Sequence, residues 1–144
     1  MNDTFARRSR DAYPFHLEIN TRFTDTDMAG HLNNASIFLY YQDGQARFLL
    51  DCVPELFPAL GRSLRLTYSD VSYDGQVYFL DALDVASGVV HVGEHWIRIA
   101  QALFQRGQCV GLCDAVLSSF DDQGQPLAIS PAQRTALESR RVHS

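Results

Sequence analysis

Ala35-Ser36-Ile37-Phe38-Leu39-Tyr40-Tyr41-Gln42-Asp43-Gly44-Gln45-Ala46-Arg47-Phe48-Leu49-Leu50-Asp51-Cys52 places Phe38, Tyr41, Gln45, Phe48 and Cys52 at intervals of three and four. Ile37, Tyr40 and Leu49 widen the apolar stripe. That period belongs to an amphipathic helix. The run predicts one helix over 35–52 with much of its circumference buried. Asn33 or Asn34 can cap its start. Pro54 and Pro58 mark its exit, and Gly61 closes the following loop. A helix this apolar does not sit on a surface, so the rest of the chain must curl around it.

Working outward, Phe15, Leu17, Ile19, Thr21 and Phe23 alternate with His16, Glu18, Asn20 and Arg22. This period of two predicts a half-buried strand over 15–23. Residues 24–34 are turn-rich, with Asp25, Asp27, Gly30, Asn33 and Asn34. Beyond the helix, strands are expected over 62–73, 77–86, 92–105 and 109–120. Their punctuation is Asp74-Gly75, Ser87-Gly88, Arg106-Gly107 and the run Asp121 to Gly124. Short turns between consecutive strands imply a largely antiparallel meander. Ser130-Pro131-Ala132-Gln133 reads as a capping box with proline at the first helical position. A short helix should run from Pro131 to about Arg141.

The expected architecture is α+β: a five-stranded antiparallel sheet wrapped around one long central helix, plus a short C-terminal helix. Residues 1–14 are polar, end in Pro14 and read as a flexible arm; 15–144 form one domain. An open sheet edge is commonly protected by pairing with a second copy. A homodimer at least is expected.

Composition narrows the function. The chain has 144 residues, 46% hydrophobic and 20% charged. This is the size and make-up of one globular domain. Lys+Arg 12 against Asp+Glu 17 gives net −5, so nucleic acid is not the expected partner. The basic clusters Arg7, Arg8, Arg10 and Arg140, Arg141 read as solvated tails. No apolar run approaches the roughly 20 residues that span a bilayer, and the first ten residues lack an apolar signal core. A cytoplasmic protein without membrane partners is expected. Cys52, Cys109 and Cys113 lack CxxC spacing and read as buried free thiols.

Chemistry concentrates in Arg22-Phe23-Thr24-Asp25-Thr26-Asp27-Met28-Ala29-Gly30-His31-Leu32-Asn33-Asn34. Two carboxylates, a histidine and two asparagines stand just before a helix N-terminus. The free N–H groups there favour negative charge and suit a developing oxyanion. A nearby carboxylate can serve as general base for water or attack a carbonyl itself. Gly30 permits a turn that other residues resist. The bland alternative is that Asp25, Asp27 and Asn33 only make Asx turns and cap the helix.

Asp25-Thr26-Asp27-x-x-Gly30-His31-Leu32-Asn33-Asn34, between a first strand and a long helix, resembles the hotdog-fold acyl-CoA thioesterases of the 4-hydroxybenzoyl-CoA thioesterase type. The resemblance extends to Tyr40-Tyr41-Gln42-Asp43, Leu66-Thr67-Tyr68, Val92-Gly93 and the segment Val116 to Gln125, and covers roughly 15–128. It implies subunits paired through their sheets as dimers or tetramers, with active sites at the interface. It implies hydrolysis of an acyl-CoA to a free acid and CoA. No metal or cofactor is implied, CoA being part of the substrate. By the same resemblance, Asp27 is the catalytic carboxylate and the N–H of Asn34 polarises the thioester carbonyl. His31 positions water or substrate, and Asp25 braces the turn. Gly30, Asn33, Asn34 and Tyr68 fall on the substrate-binding side. Gln42 and Gln45 stand where many relatives carry Glu and Arg, and His95 and Trp96 where serines or threonines are frequent; these departures bear on the substrate.

Other constellations are weaker. His91 and His95, four apart on an expected strand, lack further zinc ligands. No GxSxG elbow marks a serine hydrolase. Cys52 closes an apolar helical stripe, and Phe38, Tyr40, Tyr41 and Phe48 read as core. A hotdog enoyl-CoA hydratase or dehydratase, using an Asp and a His on one loop, is the second enzyme expectation. A non-catalytic acyl-CoA binding module is the third.

Overall fold

The computed structural model describes residues 6–56 and 62–143; Pro58, Gly61 and the first five residues of the expected arm lie outside them. The apolar-striped run forms α1, Asn34–Cys52. It buries Ser36, Ile37, Tyr40, Tyr41, Gly44, Gln45, Phe48 and Leu49, one face at spacings of three and four. Asn33 is the cap: its side chain accepts from the Ser36 N–H. Five strands follow the order β1 (Phe15–Ile19), β3 (Leu83–Val92), β4 (Trp96–Gln105), β5 (Gln108–Asp121) and β2 (Arg62–Tyr73) across one sheet. Every pairing is antiparallel. The second helix, α2 (Pro131–Glu138), starts at the expected capping box. This is the hotdog fold: a five-stranded antiparallel sheet, one long helix on its face, and a short C-terminal helix.

The core divides by sheet face. Phe48 and Leu49 of α1 meet Val89, Ile97, Ile99 and Leu117. Tyr40 and Tyr41 meet Val85, Leu103, Cys113 and Ala115. The opposite face is smaller: Ala86, Ala100, Ala102 and Phe104 lie under Ala12 and Tyr13. Residues expected as a loose arm are therefore partly tied down. Two 3-10 turns, Ala6–Arg8 and Arg10–Ala12, lie on the sheet. Arg7 forks onto both Asp114 oxygens at 2.7 and 2.9 Å.

Where α1 meets the sheet, Gln45 and Gln101 form a buried polar bridge. The Gln45 amide donates to Gln101 at 2.8 Å, and Gln101 donates to the Tyr41 carbonyl and to Ser87, each at 3.0 Å. Gln45 is thus a core residue rather than part of a site. Gly44 allows this approach. A Cβ there would stand 2.5 Å from Val85 Cγ1 and 3.1 Å from Gln101 Nε2. Gly44→Ala gains about 0.5–1 kcal/mol of helix propensity but overpacks a rigid β-branched neighbour at about 1–3 kcal/mol. The expected net is a loss of roughly 0.5–2 kcal/mol, read from urea melts.

The middle of the chain departs from the expected meander. Only β3, β4 and β5 follow one another as neighbours; β2 pairs with β5 at the far edge. Asp74-Gly75 is no hairpin turn. Both N–H groups donate to the Val110 carbonyl, at 3.0 and 3.1 Å, and residues 76–82 cross to the other side. The strand expected over 77–86 is Leu83–Val92 instead, because 77–79 pair with the loop before α1. Ser87-Gly88 lies inside β3, where a Cβ on Gly88 would meet Val142 Cγ1 at 2.7 Å and Pro14 Cδ at 2.8 Å. The true turn is Gly93-Glu94-His95, so β4 begins at Trp96 rather than at 92. The first strand ends at Ile19, and Phe23 enters a 3-10 turn.

Candidate active site

Residues 25–33 form a miniature hairpin at the entrance to α1. Its base is the Asn33 N–H donating to the Asp25 carbonyl at 3.0 Å. Thr26 bridges Leu32 above it. Higher still, the Asp27 N–H donates to the His31 carbonyl at 2.7 Å. Met28, Ala29 and Gly30 are the tip, and Gly30 takes φ +80°, a conformation that favours glycine. A second segment holds this hairpin from outside. Leu32 donates to the Val77 carbonyl at 2.9 Å, and His31 bridges Tyr78.

The two carboxylates have different surroundings. Asp25 is 6% exposed. It accepts from Arg22 Nε at 3.0 Å, Arg22 Nη2 at 3.1 Å and the Tyr40 hydroxyl at 2.5 Å. The Arg22 hydrogen bonds first, and then that of Tyr40, hold its carboxyl below the usual carboxylate range. Burial, reinforced by Asp25, pushes the Tyr40 phenol up to about 12. Asp25 is fully engaged in bracing the helix entrance.

Asp27 is exposed at the tip. Its Oδ1 accepts from the Ala29 N–H at 2.8 Å and the His31 N–H at 3.0 Å. Among the described residues no hydrogen bond reaches Oδ2. The Asx turn foreseen as the bland alternative therefore exists, but it occupies one oxygen and leaves the other facing outward. At the helix start, Ser36 and Ile37 donate to the side chain and carbonyl of Asn33. Among the described residues no acceptor claims the N–H of Asn34 or Ala35, as a first helical turn requires.

Asp27, Gly30, His31, Asn33 and Asn34 thus share one loop. The His31 ring packs edge-on against Tyr78, with centroids 5.3 Å apart, and touches neither carboxylate by a hydrogen bond. Tyr68 is not brought to the loop within one chain. It stands opposite Val116 with the Arg98 guanidinium 6.0 Å from its ring centroid, on the sheet face away from α1. The tyrosine that reaches the helix start is Tyr73, whose hydroxyl donates to the Asn34 carbonyl at 3.4 Å.

The sequence reading also missed an apolar rim beside the loop. Phe23 (73% exposed), Met28 and Leu80 (81%) project outward. Phe23 packs edge-on against Phe79 at 5.7 Å. Leu80 holds φ 82°, a strained conformation for leucine, with its N–H donating to Thr21 Oγ1. No local signal marks these residues, since the contacts join 21–31 to 78–80.

The cysteines are poor nucleophiles. Burial raises all three thiols, Cys113 to about 12. His91 and His95 do not share a strand face: His95 lies in the turn, while the His91 ring packs at a tilt against Trp96, centroids 5.2 Å apart. Trp96 covers Gly93. Among the described residues no group of three His, Cys, Asp or Glu gathers as a metal would need. No described helix is long and apolar enough to cross a membrane.

Fold and loop together define a hotdog protein with an acid-bearing hairpin at the mouth of its helix. The profile of the Thioesterase-like superfamily matches residues 21–137, and the chain belongs to that family. Solved structures agree in fold. A predicted thioesterase from Bacillus stearothermophilus is 23% identical with a TM-score of 0.81, over 90% of this chain and 98% of that one. The PA5185 protein of Pseudomonas aeruginosa is 22% identical with a TM-score of 0.84, over 94% and 97%. A thioesterase from Thermus thermophilus, solved with coenzyme A and Zn, is 21% identical with a TM-score of 0.78, over 90% and 95%. No curated protein matches the chain.

Proposed function

We propose that the chain is an acyl-CoA thioesterase, hydrolysing the thioester to a carboxylic acid and CoA. The observation that carries this reading is the half-engaged Asp27 carboxylate. Its fixed Oδ1 sets the orientation, and Oδ2 is left for chemistry on the loop that leads into unclaimed helix N–H groups. Asp27 acts as general base for water or as nucleophile on the thioester carbonyl. The N–H of Asn34 stabilises the oxyanion as the carbonyl becomes tetrahedral. Collapse of that intermediate expels the CoA thiolate; with water as the attacking group this gives the acid directly, and with Asp27 as nucleophile a water then cleaves the acyl-aspartate anhydride to the acid and free Asp27. Gly30 and Asn33 fix the loop, and His31 with Tyr78 forms one wall. The Phe23, Met28 and Leu80 rim supplies an apolar surface for the acyl chain. Membership of the Thioesterase-like superfamily supports the reaction class.

The test is thiol release from a panel of acyl-CoAs that varies chain length and aromaticity. Turnover of at least one is expected; tight binding of all without thiol release would replace the enzyme with a binding module. A hydratase would need the His31 ring and a carboxylate on one substrate carbon. The packing of that ring on Tyr78 favours hydrolysis.

The assembly is part of the proposal. β2 is a twelve-residue edge strand with β5 on one side only, and pairing with a second copy would cover its free backbone groups. Tyr68 and Tyr73 would then stand at the subunit boundary. Light scattering in solution is expected to give at least twice the chain mass.

A further inference from the structure

We infer that Gln105 and Arg106, the last residue of β4 and the first of the turn after it, are positioning residues that hold the Asp27 hairpin in place through Tyr78. The effect on turnover rests on the thioesterase reading; the effect on the hairpin does not. Residues 77–79 alternate their backbone groups as a strand does. The Val77 carbonyl accepts from the Leu32 N–H at 2.9 Å, and the Phe79 N–H donates to the Gly30 carbonyl at 3.4 Å. These groups face the hairpin. The N–H and carbonyl of Tyr78 point the other way, and what meets them is a side chain. Gln105 Oε1 accepts from the Tyr78 N–H at 2.9 Å, and Nε2 donates to the carbonyls of Tyr78 at 2.9 Å and Asp81 at 3.1 Å. Gln105 is 4% exposed. Its amide does for Tyr78 what a neighbouring strand would, with its acceptor and both donors engaged.

Arg106 grips the same residue by its ring. Arg106 takes φ 54° and Gly107 φ 76°, the left-handed pair of a two-residue hairpin turn. Asparagine suits the first of those positions better than arginine, which is strained there. The arginine side chain supplies the reason for its presence. Its guanidinium lies 4.8 Å from the Tyr78 ring centroid and pairs with Asp81. The same ring meets His31 edge-on. From Tyr78 the path to the carboxylate is short. His31 bridges Tyr78, and the His31 main chain holds Asp27 twice, its N–H on Oδ1 at 3.0 Å and its carbonyl on the Asp27 N–H at 2.7 Å. β4 lies between β3 and β5, so the hairpin is anchored to a central strand. Neither Gln105 nor Arg106 bonds to Asp27; both act on where it stands, which bears on kcat before KM.

Steady-state kinetics and amide exchange by NMR on Q105M, R106N, Y78A and R106N/Y78A test this, with melts to confirm folding. Methionine keeps the volume of Gln105 and removes all three hydrogen bonds. Q105M should lower kcat about 10–100-fold with KM within about threefold. The Asp27 and Leu32 amides should exchange about tenfold faster relative to those of β4. R106N relieves the turn, so its melting temperature should equal or exceed the wild-type value while kcat falls about tenfold. A merely structural role would move the two together. In the Y78A background R106N should change kcat less than about twofold, because the ring it acts through is gone. Wild-type exchange at Asp27 and Leu32 in Q105M overturns the inference, as do wild-type kcat in R106N and additive losses in R106N/Y78A. If the wild type releases no thiol but Q105M still frees the two amides, the thioesterase reading fails and the clamp stands. If the wild type turns over and Q105M matches it in kcat and exchange, the clamp fails and the reaction stands.

Discussion

Asp27→Asn is expected to lower kcat for the best acyl-CoA substrate by about 10²–10⁴-fold, the usual effect of removing a general base or carboxylate nucleophile. The fold should survive. Asparagine Oδ1 can accept the same two bonds from Ala29 and His31, so the hairpin tip keeps its shape. Loss at Oδ2 removes only the charge and the proton-accepting or attacking lone pair. KM should therefore change less than kcat. A variant retaining more than a tenth of wild-type turnover with an unchanged melting temperature would reduce Asp27 to a turn residue. Asp27→Ala would not make this distinction, since it also releases the two loop N–H groups.

Asp25→Ala is expected to act mainly on stability. The loss centres on the Tyr40 hydroxyl, buried beside Asp25 and donating to it at 2.5 Å. Leaving that donor unpaired costs about 1.5–3 kcal/mol, or roughly 4–10 °C in a domain of this size. The Arg22 arm adds little, because its side chain is 69% exposed and water screens it. Tyr40→Phe should recover much of this loss in the Asp25→Ala background, and the double-mutant cycle should show coupling between the two. The same carboxylate gives an acid signature. Its folded pKa lies below its unfolded one. The stabilisation is therefore complete above about pH 4, and it is lost as pH falls through the depressed value. Asp25→Asn should flatten the fall in stability over that window. Turnover should drop in both variants, since the brace fixes the base of the hairpin that carries Asp27.

How much of this was legible locally depends on the range of the interactions. α1 shows in the spacing from Ile37 to Leu49, because a helix closes its hydrogen bonds within four residues. Its start shows in Asn33, and that of α2 in the Ser130 to Gln133 box, since caps are equally local. β2 over 62–73 was also readable. The 25–34 motif placed Asp27, His31 and Asn34 on one loop, because chain connectivity alone keeps them there.

Strand order and facing belong to the tertiary structure. Nothing near Asp74-Gly75 says that β2 leaves for the far edge, because the partner that holds it is Val110. The shift of β3 to Leu83–Val92 follows from 77–79 being taken by the loop at 30–32. Tyr68 is the sharpest case. A period of two sets it beside Leu66, but an irregularity between them pairs Leu66 with Leu117 and Tyr68 with Val116. That one-residue slip turns the ring to the face away from α1. Sequence by itself determined the helices, their caps and the acidic loop, whose forces act within a few residues. Only the folded chain decided which strand faces which, that Asp25 is engaged while Asp27 keeps a free oxygen, and that Phe23 meets Phe79 while Leu80 bonds to Thr21, because those outcomes depend on partners tens of residues away.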